Sequence, residues 1–159
     1  MTDGNIVMIN SAKTCAFTGH RTLYKDFDAN KVKKETEKLI KEGYDTFLIG
    51  MAIGFDTESF KILLEIKKEH DIKIVACVPC ENQSARFNLS QKKEYEKLLS
   101  LADEKIVISK EYSKDCMKKR NEFMVNNSSA LIAYLKRDYS GTSQTVKLAE
   151  KKNIKIIFV

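Results

Sequence analysis

Three turns and one helical stretch concentrate the residue types that bind anions. Thr18-Gly19-His20-Arg21 sets a hydroxyl, an imidazole and a guanidinium around a glycine that lets backbone approach a ligand. The same residues also read as a plain glycine turn with an exposed arginine. In Gly50-Met51-Ala52-Ile53-Gly54-Phe55-Asp56, Gly50 and Gly54 give backbone access and Asp56 stands where it can cap a helix whose first N–H groups favour an anion. The alternative is a loop that needs small residues for tight helix–strand packing. Asp138-Tyr139-Ser140-Gly141-Thr142-Ser143 runs hydroxyls into a helix start with Thr142 as its cap, an arrangement that cradles phosphate and equally serves as an ordinary capped turn.

The fourth stretch is Cys116 to Met124. Cys116, Arg120 and Met124 share one face of a predicted helix, and an arginine on an otherwise apolar face wants an anion. That anion is a ligand or a carboxylate at the edge of the core. Cys77-Val78-Pro79-Cys80 has the C-x-x-C spacing of a redox pair. No predicted helix opens directly after it to lower a thiol pKa, and no second C-x-x-C completes a zinc site. Redox chemistry is therefore the weaker reading of Cys77 and Cys80.

These turns need elements to hold them. Short apolar runs at Cys15–Phe17, Phe47–Ile49, Ile72–Val78, Ile106–Ile108, Ala130–Leu135 and Ile154–Val159 read as six strands, the third cut off by Pro79. Between them lie amphipathic stretches. Asp28 caps a helix that stops at Gly43, Asp56 caps the next, a third runs near 90–102, Ser113 caps a fourth over 114–127, and Thr142 caps the last, to Lys152. Continuous rather than alternating apolar strands suit a sheet covered on both faces. The expected architecture is a single α/β domain over 13–159, with a mostly parallel, open, doubly wound Rossmann-like sheet, behind a loosely ordered lead over 1–12. In such sheets ligands sit outside the carboxyl ends of the strands, where these turns lie.

Composition sets bounds. A chain of 159 residues, with one proline and six glycines, is one domain's length and is neither collagen-like nor a linker. Charged residues make up 31%, above the usual ~25%, and the net charge of +6 favours an anionic partner without requiring nucleic acid. Most lysines stand beside acids on predicted helix faces. The opening Met1-Thr2-Asp3-Gly4 shows no secretory pattern, and no apolar run reaches the ~18 residues of a membrane span. Cytoplasmic placement, reduced cysteines and no membrane contact are expected.

Taken in order, the blocks Thr18-Gly19-His20-Arg21, Gly50 to Asp56, Pro79-Cys80-Glu81-Asn82-Gln83, Cys116-Met117 with Arg120-Asn121 and Met124-Val125, and Ser140-Gly141-Thr142 resemble the YoqJ/YpsA-like family of Firmicutes and their phages. That family belongs to the SLOG superfamily of Rossmann-like proteins, with LOG-type phosphoribohydrolases and DNA-processing protein A among its relatives. The resemblance covers about 13 to the C-terminus. It implies a site for a nucleotide or nucleotide derivative such as AMP, NAD or ADP-ribose, with no required cofactor. Thr18, Gly19, His20 and Arg21 would floor it, Gly50 and Gly54 would give access, Arg120 and Asn121 would face phosphate or sugar, and Ser140, Gly141 and Thr142 would hold phosphate. Homodimers are also expected from the relatives.

The chain departs from the LOG-type pattern at one telling place. Where those hydrolases carry a catalytic Glu after Gly-Thr, Thr145 stands here. Asp56 or Glu58 could replace it only if folded inward. Asn126 and Phe87 stand where relatives often show Asp and Trp. Binding of a nucleotide derivative is thus the first expectation. N-glycosidic hydrolysis is the second, and single-stranded DNA binding the third.

Overall fold

The computed structural model describes residues 8–159, so most of the expected N-terminal lead, 1–7, lies outside the described residues. The rest of the lead ends in a 3-10 turn over Ser11–Lys13, capped by the Asn10 side chain. The chain then alternates β1 (Thr14–Gly19), α1 (Ala29–Lys41), β2 (Thr46–Ile49), α2 (Phe55–Lys67), β3 (Lys73–Cys80), α3 (Leu89–Leu101), β4 (Glu104–Ser109), α4 (Cys116–Asn126), β5 (Ala130–Tyr134), α5 (Gly141–Lys151) and β6 (Lys155–Phe158).

All neighbouring strands pair in parallel, in the order β4-β3-β2-β1-β5-β6. The chain builds outward from β1 to one edge, then returns across the sheet to start again on the other side of β1. Reversing the direction of growth moves the right-handed crossovers to the opposite face. One core layer accordingly joins Phe17, Phe47, Ile49, Ile74 and Ile132 to Leu39 of α1, Phe60 and Leu63 of α2 and Leu98 of α3. The other joins Ala16, Leu48, Val75 and Leu131 to Met124 of α4 and Val146 of α5. Sheet residues alternate between the two layers, and both layers are apolar, which is why the strands read as unbroken apolar runs.

Local chemistry starts and stops the helices. Asp28 caps α1 by accepting the Asn30 N–H at 3.0 Å, and Gly43 follows the helix at φ 107°. Asn88 and Gln91 form a reciprocal capping box on α3. Four expectations need correction. Ser140, not Thr142, caps α5, because its Oγ is placed to accept the Ser143 N–H at 3.0 Å. Asp56 does not cap α2: Gly54 holds that position and Asp56 lies within the first turn. Asp115, not Ser113, precedes α4. Pro79 does not end β3, since pairing with β4 resumes at Cys80↔Ser109 and passes over the proline that lacks an N–H. No helix among the described residues is long and apolar enough to cross a membrane.

Candidate functional site

Strand order reverses between β1 and β5, and a cleft of about 280 Å³ opens above their carboxyl ends. Thr18, Gly19, His20 and Arg21 come to it from the end of β1, Gly50 from β2, Asp56 from α2, Arg120 and Asn121 from α4, and Ser140, Gly141 and Thr142 from the start of α5. The separate corners singled out in the sequence therefore meet. Gly54 does not line this cleft. It faces a smaller neighbouring hollow, and at φ 83° its backbone packs so closely that a Cβ there would overlap the backbone of Arg21.

Arg120 is the strongest feature of the cleft. It is 6% exposed, and no carboxylate lies within 4.0 Å of it among the described residues. Its Nη1 donates to the Gly50 carbonyl, its Nε donates to Asn121 Oδ1 at 2.7 Å, and Nη2 meets the Met117 sulfur at 3.9 Å. Burial lowers its pKa from the usual arginine value, and the Asp56 carboxylate opposes that shift. A buried guanidinium without a direct counterion is costly unless something anionic arrives.

Asp56 stands on the same cleft, also 6% exposed. Its Oδ2 accepts the Ala52 N–H at 3.1 Å, whereas its Oδ1 is buried with no hydrogen-bond partner among the described residues. Burial pushes its carboxyl up to about 6, with Arg120, the Ala52 N–H and Arg21 pulling the other way. The start of α5 completes the set. Ser143 gives its N–H to Ser140, while helix geometry leaves those of Gly141 and Thr142 without intrahelical acceptors. A Cβ at Gly141 would meet nothing within 4 Å, so this helix end is open.

His20 has a narrower role than its position in the sequence suggests. Its Nε2 accepts the Lys136 N–H at 2.9 Å, tying the end of β1 to the segment after β5. Burial, then Arg137 and Lys136, lower its pKa, so the ring is held neutral. Tyr134 reinforces the tie by accepting the Tyr24 N–H and donating to Asp26, each at 3.0 Å. Gly19 is small for a packing reason, because a Cβ there would overlap the Phe55 ring. Thr145 donates its hydroxyl to the Gly141 carbonyl at 2.8 Å and serves the helix. Cys77 and Cys80 are buried, and burial raises both thiols, Cys77 to about 12, against thiolate chemistry. Arg137, Met117 and Met124 also line the cleft. The sequence reading did not single out Arg137 as a residue of this cleft, although a basic residue just after a predicted strand is the signal that could have found it.

The profile of the YpsA family, described as the YspA SLOG family, matches residues 16–157 and so includes every element that builds this cleft. The chain belongs to the YspA SLOG family. Its similarity to the SPbeta prophage-derived protein YoqJ of Bacillus subtilis (strain 168) is 30% identity over 128 residues, 72% of this chain and 75% of that protein. A UPF0398 protein of Bacillus thuringiensis (strain Al Hakam) is 24% identical over 124 residues, 76% of this chain and 67% of that protein. Among solved structures, DNA processing protein A of Streptococcus pneumoniae superposes with a TM-score of 0.65 at 18% identity, over 92% of this chain but half (50%) of that one. DNA processing protein A of Helicobacter pylori gives 0.67 at 17%, over 93% of this chain and 65% of that one. At such identities the family's SLOG chain shares their fold.

Proposed function

We propose that the cleft binds a nucleotide or nucleotide derivative, with its phosphate between Arg120 and the first turn of α5 and its sugar toward Asp56. The observation that carries this is the pairing, in one cleft, of a buried cation lacking a direct counterion with a buried carboxylate oxygen lacking a donor. A simple anion would satisfy Arg120 and be repelled by Asp56. A phosphorylated sugar offers both charges what they lack: phosphate oxygens for Arg120, Gly141 and Thr142, and a hydroxyl for Asp56 Oδ1. Calorimetry and thermal shift with AMP, ADP-ribose, NAD and cyclic nucleotides test it. Ligand at ~100 times its Kd adds about 2.7 kcal/mol of stability. Folded protein stabilised by none of them contradicts the proposal.

Asp56 supports a second reading, N-glycosidic cleavage. A carboxyl titrating at about 6 can exchange a proton near neutral pH, and its position would supply the acid that Thr145 does not. Release of free base from a nucleotide panel, abolished in Asp56→Asn, is the expected result. Intact nucleotides after long incubation remove it. The Helicobacter pylori relative, whose structure is described for its single-stranded DNA binding mode, supports a third. A salt-sensitive shift of single-stranded DNA at low ionic strength would favour it, and its absence would dismiss it.

A further inference from the structure

A second hollow of about 480 Å³ opens beside the cleft, and Arg21, Ala52 and Met117 belong to the walls of both. We infer that it receives the planar heteroaromatic base of the ligand, and that Arg21 meets the phosphates running from one hollow to the other. This rests on the nucleotide proposal and names its class more closely: a base joined through a diphosphate to a second sugar.

Size is the first support. Sites for small ligands usually measure ~300–1,000 Å³, so the cleft alone is short of that range and the two hollows together lie within it. Chemistry is the second. Phe87 forms one wall and is held edge-on against Tyr95 at 5.6 Å, a rigid flat surface. Tyr112, 64% exposed, brings a second ring, and Arg86 a guanidinium that stacks on flat groups. Asn82 and Gln91 add amides of the kind that read base edges. Among the described residues no carboxylate lines this hollow, whereas Asp56 lines the cleft, so hydroxyl-bearing sugar and flat base sort to different ends. In the wall of this hollow Gln83 is fixed: its Nε2 donates to the Gly50 carbonyl, which belongs to the cleft, at 3.2 Å and its Oε1 accepts the Tyr95 hydroxyl at 3.0 Å. This wall is thus set before any ligand comes.

Calorimetry with ribose 5-phosphate and ADP-ribose, on the wild type and an Arg86→Ala/Tyr112→Ala double variant, separates the two ends. Both side chains are exposed and leave the core intact when removed. ADP-ribose is expected to bind the wild type about tenfold or more tighter than ribose 5-phosphate. The double variant should lose that advantage while its affinity for ribose 5-phosphate stays within twofold. Equal affinity of the wild type for both probes, or an unchanged advantage in the double variant, overturns the base hollow and leaves the cleft proposal standing. Binding of neither probe to the wild type overturns both.

Discussion

The guanidinium of Arg120 fills the space that a side chain at Gly50 would need. A Cβ on Gly50 would stand 2.7 Å from Nη1 and 2.9 Å from Cζ, and the Gly50 carbonyl is itself an acceptor for Nη1. The glycine at the end of β2 is therefore a seat for arginine, and the two positions are mechanically linked. Gly50→Ala is expected to push the guanidinium from its seat, because the end of a side chain yields before backbone does. Ligand affinity should fall by a factor close to that of losing the arginine, with the fold retained. Gly19→Ala should differ: its Cβ would overlap the fully buried Phe55 ring, at a cost of about 1–3 kcal/mol in stability or more. Chemical denaturation and calorimetry on both variants check the contrast.

Arg120→Met keeps length and removes charge. The Gly50 carbonyl still accepts from Gln83 at 3.2 Å, so the variant orphans no acceptor there. Affinity for a phosphorylated ligand should drop by about 1.5–3 kcal/mol, a roughly tenfold to hundredfold rise in Kd. The melting temperature without ligand should hold or rise at pH 5, where Asp56 is largely protonated and does not need the cation, because a buried charge lacking a direct partner costs stability. Unchanged affinity would make Arg120 a purely structural residue.

Asp56 gives a pH signature. Its folded pKa, about 6, lies above the ordinary 3.8, so the folded state holds a proton that the unfolded chain has already released between those values. Stability from this group therefore falls as pH rises from about 4 to about 6. Asp56→Asn escapes that loss. From pH 4 to pH 7 the stability gap between variant and wild type should move by about 2 kcal/mol in favour of the variant. Urea midpoints measured across that range decide it; parallel curves would place the carboxyl near its ordinary value.

His20 should slope the other way. Its pKa is lowered below 6.5, so the stability it brings is fully present above 6.5 and lost as pH falls through the lowered value. His20→Ala also leaves the Lys136 N–H without its acceptor, at a cost of about 1–3 kcal/mol. Thermal melts at pH 7.5 and 5.5 check both effects, with the difference between variant and wild type larger at pH 7.5.

Much of this was legible before any coordinates. All six strands were readable as short apolar runs, the central ones such as Phe47-Leu48-Ile49 because they are buried on both faces, and the turns after β1, β2 and β5 proved to be walls of the cleft. Caps were less legible, since Ser140 and Thr142, two residues apart, are equally good capping types and only backbone geometry chooses. The purposes of the glycines were hidden too. Gly19 and Gly50 make room for Phe55 and Arg120, side chains distant in sequence. The second hollow was invisible for the same reason, as Arg21, Phe87 and Tyr112 meet only once the strand order is known.

The most direct test of the account is a crystal structure of the protein grown with saturating ADP-ribose. A phosphate within hydrogen-bond reach of Arg120 and the Gly141 and Thr142 N–H groups, with a sugar hydroxyl on Asp56, is the predicted result. A ligand bound elsewhere, or a cleft left empty at that concentration, would contradict it.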